Sequence, residues 1–331
     1  MSKFINKKIA KSDWYALHQS SNIDDDRLST LIEEHSYSNQ SDWKKFLEYF
    51  ILAIGSGLFL SGVIFFFAFN WNEIPRFGKF GMILLLLLVT VVLSVLTSVK
   101  EFVRKIALLS SSIVVGVLFA VFGQEYQTGA NAYDLFLMWC IVIIPWTMVS
   151  KFTVQWLLFA VLTNTTLTLF YQQVVFKINP FYTIISYLVL NTLLFLLPYA
   201  IGKYQSFRPE KYYSNLMIFV CNSLAVGSLG VAIFTTRSNY SDGELSGLFV
   251  LFLLSIAWIG ISFYISLKKK NILTFSYFVL AIAIIVFMLL IRCCDFSEGA
   301  LLLYTLYVIG GTFGIIKLIS NQQKEWNHER E

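Results

Sequence analysis

Charged residues are scarce in this chain, and long stretches of it contain none. Asp, Glu, Lys and Arg make up 14% of its 331 residues, against 57% hydrophobic residues and a mean hydropathy of +0.68. Soluble domains are nearer half apolar and a quarter charged, and a soluble core of this length could not bury so much apolar surface. The composition therefore excludes an ordinary soluble protein and predicts one that is embedded in lipid.

Cysteine and histidine are too few and too scattered for a disulfide framework or a metal centre. The chain has four cysteines and three histidines. Cys140 and Cys221 fall within apolar runs, where a small thiol packs easily. The adjacent Cys293 and Cys294 are either two buried thiols, which we favour, or a pair that could oxidise. The histidines stand in the terminal tails, so we expect no metal and no cofactor.

Ten apolar runs fill the chain from about residue 46 to residue 320. A helix needs roughly 20 apolar residues to cross a hydrocarbon layer, and in lipid its backbone groups are paired within the segment. The runs lack the alternation of a membrane barrel. We therefore predict an all-α fold, a polytopic transmembrane helical bundle of about ten spans. These are 46–69, 77–98, 105–123, 134–149, 152–172, 181–201, 214–236, 244–266, 272–291 and 298–319.

The fourth span is the shortest and contains Pro145, which bends helices. Residues 105–149 could instead hold a re-entrant segment.

Positive charge alternates between the gaps that separate these spans. Five of the 25 Lys and Arg fall in one set of gaps, and the other 20 fall in the second set and in the two tails. Because Lys and Arg accumulate on the cytoplasmic side, both termini are expected there. The net charge of +5 then reflects topology, and we expect no nucleic-acid partner. The first 45 residues lack the apolar region of a cleavable signal peptide.

The chain is expected to have three parts. Residues 1–45 form a short cytoplasmic N-terminal helical segment, 46–320 the transmembrane bundle, and 321–331 a cytoplasmic C-terminal tail. In the first part Leu28, Leu31 and Ile32 recur at helical spacing, after three Asp residues that suit a helix N-terminus. This segment either packs on the inner loops, which we favour, or binds a cytoplasmic partner.

The centres of the spans contain no Asp, Glu, Lys, Arg or His. Ion-coupled transporters and proton relays usually hold such a residue inside the bundle, and the chain also lacks an intramembrane Asp pair, an HExxH motif and a Walker-type phosphate loop. Neutral polar side chains remain, which more often join helices than line a pathway. They are Gln155, Asn164, Thr165, Thr166, Thr168, Asn191 and Asn222.

Two blocks of polar and aromatic residues lie on the side away from the cytoplasm. One runs from Gly123 to Trp139, and the other covers residues 70–75. Their amides, carboxylates and rings could bind a sugar, a lipid headgroup or a peptide, or could simply cap helix ends at the membrane boundary. The candidate ligand-binding residues are Asn70, Trp71, Asn72, Gln124, Glu125, Tyr126, Gln127, Thr128, Asn131, Tyr133 and Asp134. We expect no catalytic residue, because no nucleophile is evident beside either carboxylate.

Both blocks resemble segments of a known protein family. Gly-Gln-x-Tyr-Gln-Thr-Gly-Ala-x-Ala-Tyr-x-Leu-Phe-x-x-Trp, from Gly123 to Trp139, looks like the hallmark of an uncharacterised bacterial membrane family, domain of unknown function 2157. Phe66 to Pro75 is similar to its other recurrent segment. The resemblance covers about residues 10–170 and implies a protein of the bacterial inner (cytoplasmic) membrane. It brings no established reaction, ligand or catalytic residue.

Three functions follow from these patterns. The first, which we favour, is a non-enzymatic envelope protein that binds a ligand or partner through its outward-facing loops. The second is a transporter or flippase of a neutral or lipidic solute. The third is a membrane enzyme that uses Glu125 or Asp134. The expected partners are the lipid bilayer and either another membrane protein or a second copy of the chain.

Overall fold

The computed structural model describes residues 24, 26–30, 40–69, 73–127, 129–175, 179–205, 207–236, 242–294 and 298–328. These residues form ten long helices and their connections, and contain no strand. The helices are α1 (Gln40–Phe69), α2 (Arg76–Val95), α3 (Glu101–Tyr126), α4 (Ala132–Val149), α5 (Thr153–Gln173), α6 (Pro180–Gln205), α7 (Lys211–Phe234), α8 (Asp242–Lys269), α9 (Ile272–Cys293) and α10 (Glu298–His328). All ten are long and apolar enough to cross a membrane, which confirms the predicted all-α polytopic bundle.

The predicted spans and the helices differ mainly at their ends. The fourth span is one continuous helix of 18 residues with Pro145 inside it, and it is long and apolar enough to cross a membrane. At the other extreme, α10 runs on to His328, into the region predicted as a tail. The extension is held by Trp326, whose buried ring meets the Phe275 ring at 5.6 Å in an edge-on contact.

Residues 1–79 form one compact unit. Residues 26–30 make a helical turn, in which the Leu28 N–H donates to the Asp24 carbonyl at 2.9 Å. Leu31 and Ile32, expected on the same helix, lie outside the described residues. Helix α1 begins at Gln40, so it includes the last residues of the predicted N-terminal segment. Pro75 directly precedes α2, a position that suits its fixed φ.

Residues 80–331 form the second unit, and α7 lies at its centre. This helix contacts α6, α8 and α9, and its Tyr213, Ile218 and Cys221 are fully buried in the main apolar core. A smaller core forms where α3, α4 and α5 meet, around Val115 and Ile143.

Successive helices of the second unit alternate in direction, so its connections gather at two ends. At one end the Glu210 N–H donates to Thr153 Oγ1 at 3.3 Å, which joins the α6–α7 connection to the start of α5. We call this the basic end, because the α2–α3, α4–α5, α6–α7 and α8–α9 connections, together with the helix turns beside them, carry most of the unit's cations. At the opposite end Asn179 Nδ2 donates to the Glu244 carbonyl at 3.3 Å.

The cysteines are free thiols. Cys140 and Cys221 are buried within the bundle, as expected. Cys293 is exposed and Cys294 is partly buried, so the expectation of two buried thiols is wrong for Cys293. Its position explains this, because α9 ends at that residue.

Candidate functional site

The α3–α4 connection is a tight turn between two helices at the opposite end. Helix α3 ends at Tyr126, and Gln127 follows in the left-handed conformation with φ 42°. Gly129 also has a positive φ, of 64°. Left-handed residues commonly terminate helices, and glycine adopts this conformation without steric penalty. Gln127 and Gly129 therefore have a backbone role in stopping α3.

The next residues start α4. Asn131 is the N-cap residue, and its backbone N–H donates to Asp134 Oδ2 at 3.1 Å. This is half of a capping box, in which the third residue of a helix reaches back to the cap. A carboxylate in the first turn is also stabilised by the positive end of the helix dipole. Asp134 is thereby engaged in structure, which weakens the enzyme hypothesis.

Two tyrosines fix this connection to neighbouring helices. The Tyr126 ring lies 4.7 Å from the Phe122 ring and 5.9 Å from the Phe80 ring of α2, between ring centroids. On the other side, the Tyr133 N–H donates to Gln173 Oε1 at 2.9 Å, and its ring lies 5.2 Å from Phe170. The turn is therefore held between α2 and α5.

A polar rim remains exposed above these anchors. The side chains of Gln124, Tyr126, Gln127, Asn131 and Asp134 are exposed, and Tyr126 keeps 53% of its surface accessible. Within the described part of the chain, the amides of Gln124 and Gln127 have no hydrogen-bond partner. These two amides and the tyrosine ring are thus the groups that the fold presents for binding.

Only part of the expected site can be placed. Glu125 and Tyr133 are partly buried at the same connection. Asn70, Trp71, Asn72 and Thr128 lie outside the described residues. That residues 70–72 complete this site stays a prediction.

Trp139, the last residue of the motif, has a structural role that its place in the motif did not indicate. Its Nε1 donates to the Ser112 carbonyl of α3 at 2.7 Å. The indole lies so close to Gly116 that a Cβ at that position would be 2.4 Å from two ring atoms. Trp139 therefore locks α4 onto α3, and is not a surface for a ligand. The small residues at every fourth position of α3 were the signal that could have revealed this contact.

The neutral polar side chains of the spans mostly join helices, as expected. Asn164 of α5 and Asn191 of α6 exchange two amide hydrogen bonds, at 3.1 and 2.8 Å. Thr168 and Tyr187 continue this seam with a contact of 2.8 Å between their hydroxyls. Near the start of α5, Gln155 Nε2 donates to Ser112 Oγ of α3 at 2.8 Å. Asn222 Nδ2 donates to Ser262 Oγ at 3.0 Å.

Comparison with known proteins supports the resemblance seen in the motifs. Residues 15–156 match the family described as Predicted membrane protein (DUF2157). Both family-like segments fall inside this range, so the expected resemblance to DUF2157 is confirmed over that part of the chain. No curated protein and no solved structure matches the chain significantly. The structure and the family together identify a multi-pass membrane protein, with ten helices suited to a lipid bilayer.

Proposed function

We propose that this chain is a non-enzymatic membrane protein that binds a ligand or partner through the α3–α4 connection. The observation that carries the proposal is the exposed rim of Gln124, Tyr126 and Gln127 on a backbone that both flanking helices hold in place. Binding sites commonly place a few polar groups beside aromatic surface on a rigid scaffold.

Two further arguments favour binding over the alternatives. A transporter of a neutral solute would need free polar groups along a path, but Asn164 and Asn191 bond to each other. An enzyme would need an available acid or base, but Asp134 caps α4. Binding a ligand or partner that comes from outside the bundle requires neither a polar path nor a free acid or base.

In the orientation that we propose, the rim lies on the side of the membrane away from the cytoplasm. Excess Lys and Arg mark the cytoplasmic side of membrane proteins, so the basic end faces the cytoplasm and both termini lie there. In the bacterial inner membrane that the family resemblance implies, the rim then faces the periplasm.

Photo-crosslinking in intact cells tests the proposal. We would place benzoylphenylalanine at Gln124 or Tyr126, and at Phe249 as the control. Phe249 is 63% exposed and lies near the start of α8, at the same end of the unit but away from the rim. We expect a discrete adduct from positions 124 and 126 that is absent at 249.

The adduct at 124 should also disappear when Tyr126 and Gln127 are changed to Leu and Asn. Asn tolerates a positive φ, so the turn is kept. Identical adduct patterns at all three positions, or an adduct at 124 that survives this double change, would contradict the proposal.

A further inference from the structure

A large cavity opens at the basic end, far along the chain from the α3–α4 connection. Its volume is about 1300 Å³. The last turns of α6 and α8, the first turns of α7 and α9, and the connections between them form its walls. Because helices of membrane proteins end near the lipid–water boundary, the cavity lies at the depth of the headgroups.

Positive charge converges on this cavity. Five cations line it, in or beside the α6–α7 and α8–α9 connections, which are distant in sequence. They are Lys203, Arg208, Lys211, Lys269 and Lys270. Within the described residues, no carboxylate lies within 4.0 Å of the charged groups of Lys203, Arg208, Lys211 or Lys269. Glu210, the N-cap residue of α7, offsets part of this charge. The remaining excess favours an anionic occupant.

The walls are fixed by specific contacts. Asn271 Nδ2 donates to Asn215 Oδ1 at 2.8 Å, which holds the α8–α9 connection against α7. The Phe207 N–H donates to the Gly202 carbonyl at 3.1 Å and ends α6. A Cβ at Gly202 would lie 1.9 Å from the Phe207 carbonyl oxygen, so this approach requires glycine.

The cavity also has an apolar side. Lys269 Nζ lies 4.9 Å from the centroid of the Tyr199 ring, a cation–π contact that orients the ammonium group. Phe207, Ile272 and Leu273 line the cavity as well. Cations beside apolar surface at the headgroup depth suit a molecule that is both anionic and amphiphilic, as expected for basic pockets between helices.

We propose that this cavity binds a phosphate-bearing headgroup whose net charge is negative. Lys203, Arg208 and Lys211 contact the phosphate oxygens, since cationic N–H groups form their strongest hydrogen bonds with such acceptors. The apolar wall contacts the glycerol and the first part of the acyl chains. This site is separate from the α3–α4 connection and does not depend on the function proposed for it.

Lipid titration of the full chain in a nonionic detergent tests the site. The probes are short-chain phosphatidylglycerol and phosphatidylcholine, with affinity measured by thermophoresis. We expect tighter binding of phosphatidylglycerol, weakened by salt. The triple variant Lys203→Gln, Arg208→Gln, Lys211→Gln should lose on the order of a hundredfold in affinity, from the usual contribution of each cation near a membrane surface.

A charge-matched control separates the cavity from the general charge of this end. Lys268→Gln, Lys317→Gln and Lys324→Gln remove the same charge outside the cavity lining, and should change the affinity less than fivefold. All six side chains are exposed, so both variants should fold, which circular dichroism checks. Equal losses in both variants, or equal binding of the two lipids, would overturn the proposal.

A competition experiment identifies the source of the phosphate. Inorganic pyrophosphate is added to the complex with phosphatidylglycerol. Displacement at similar concentrations assigns the cavity to a soluble phosphate compound. Retention of the lipid assigns it to a phospholipid. Either result supports the phosphate site, provided that the cavity variant loses binding and the control does not.

Discussion

Replacing Gly116 by alanine should separate α3 from α4, although alanine is the better helix former. The added Cβ would lie 2.4 to 2.5 Å from three atoms of the Trp139 ring, so the ring must move by about 1 Å to reach an ordinary contact distance. The ring is not free to move, because its Nε1 donates to the Ser112 carbonyl at 2.7 Å. The substitution therefore forces either a strained contact or a broken hydrogen bond.

The expected loss of stability follows from three energies. Overpacking a core costs about 1–3 kcal/mol, and a lost hydrogen bond costs about 1 kcal/mol. The gain from replacing glycine within a helix is roughly 0.5–1 kcal/mol. Overpacking less this gain gives the net expectation that Gly116→Ala lowers the free energy of unfolding by about 0.5–2 kcal/mol. Reversible unfolding by SDS in mixed micelles measures this change.

Gly123→Ala supplies the control in the same helix. Among the described residues, no atom outside the nearby backbone of α3 lies within 4 Å of a Cβ at Gly123, so this change should be neutral or slightly stabilising. Changing Trp139 to leucine should also remove the penalty of Gly116→Ala, a non-additivity that a double-mutant cycle detects. If Gly116→Ala is as stable as Gly123→Ala, the proposed contact between α3 and α4 is refuted.

Two more predictions concern polar contacts, measured by the same unfolding assay. Asn191→Leu leaves Asn164 without its partner in the α5–α6 seam and should lower the free energy of unfolding by about 1–2 kcal/mol. Changing both residues to leucine should recover much of that loss. Equal stability of the single and double variants would contradict the pairing. Asp134→Ala should cost about 1 kcal/mol, because α4 loses its capping carboxylate; no change in stability would show that the contact with Asn131 is not formed.

The sequence was sufficient to predict the number of helices but not their neighbours. Runs of apolar residues set the length of each helix, which is why spans such as 134–149 closely match α4. In lipid every face of such a helix is apolar, so periodicity does not show which face meets another helix. The small residues of α3 indicated a helix contact, but that the Trp139 ring is what packs on Gly116 was visible only in the structure.

At the basic end and at the α3–α4 connection, too, the sequence predicted the side of the membrane but not which side chains come together. The sequence indicated that Lys203 and Lys269 lie on one side of the membrane, but their convergence on one cavity depends on how α6 and α8 pack around α7. At the opposite end, the composition of the motif suggested a ligand site. The structure showed that Asp134 and Trp139 of that motif serve the fold, and that Gln124 and Gln127 remain exposed.

In the proposed topology, the α3–α4 connection and the basic end lie on opposite sides of the membrane. To test this topology, the four native cysteines are replaced by serine and a single cysteine is placed at Gln124 or at Lys268. Intact cells are then treated with a membrane-impermeant maleimide. Gln124→Cys should react from outside, and Lys268→Cys should react only after the membrane is permeabilised. Labelling of both positions under the same condition would contradict the account.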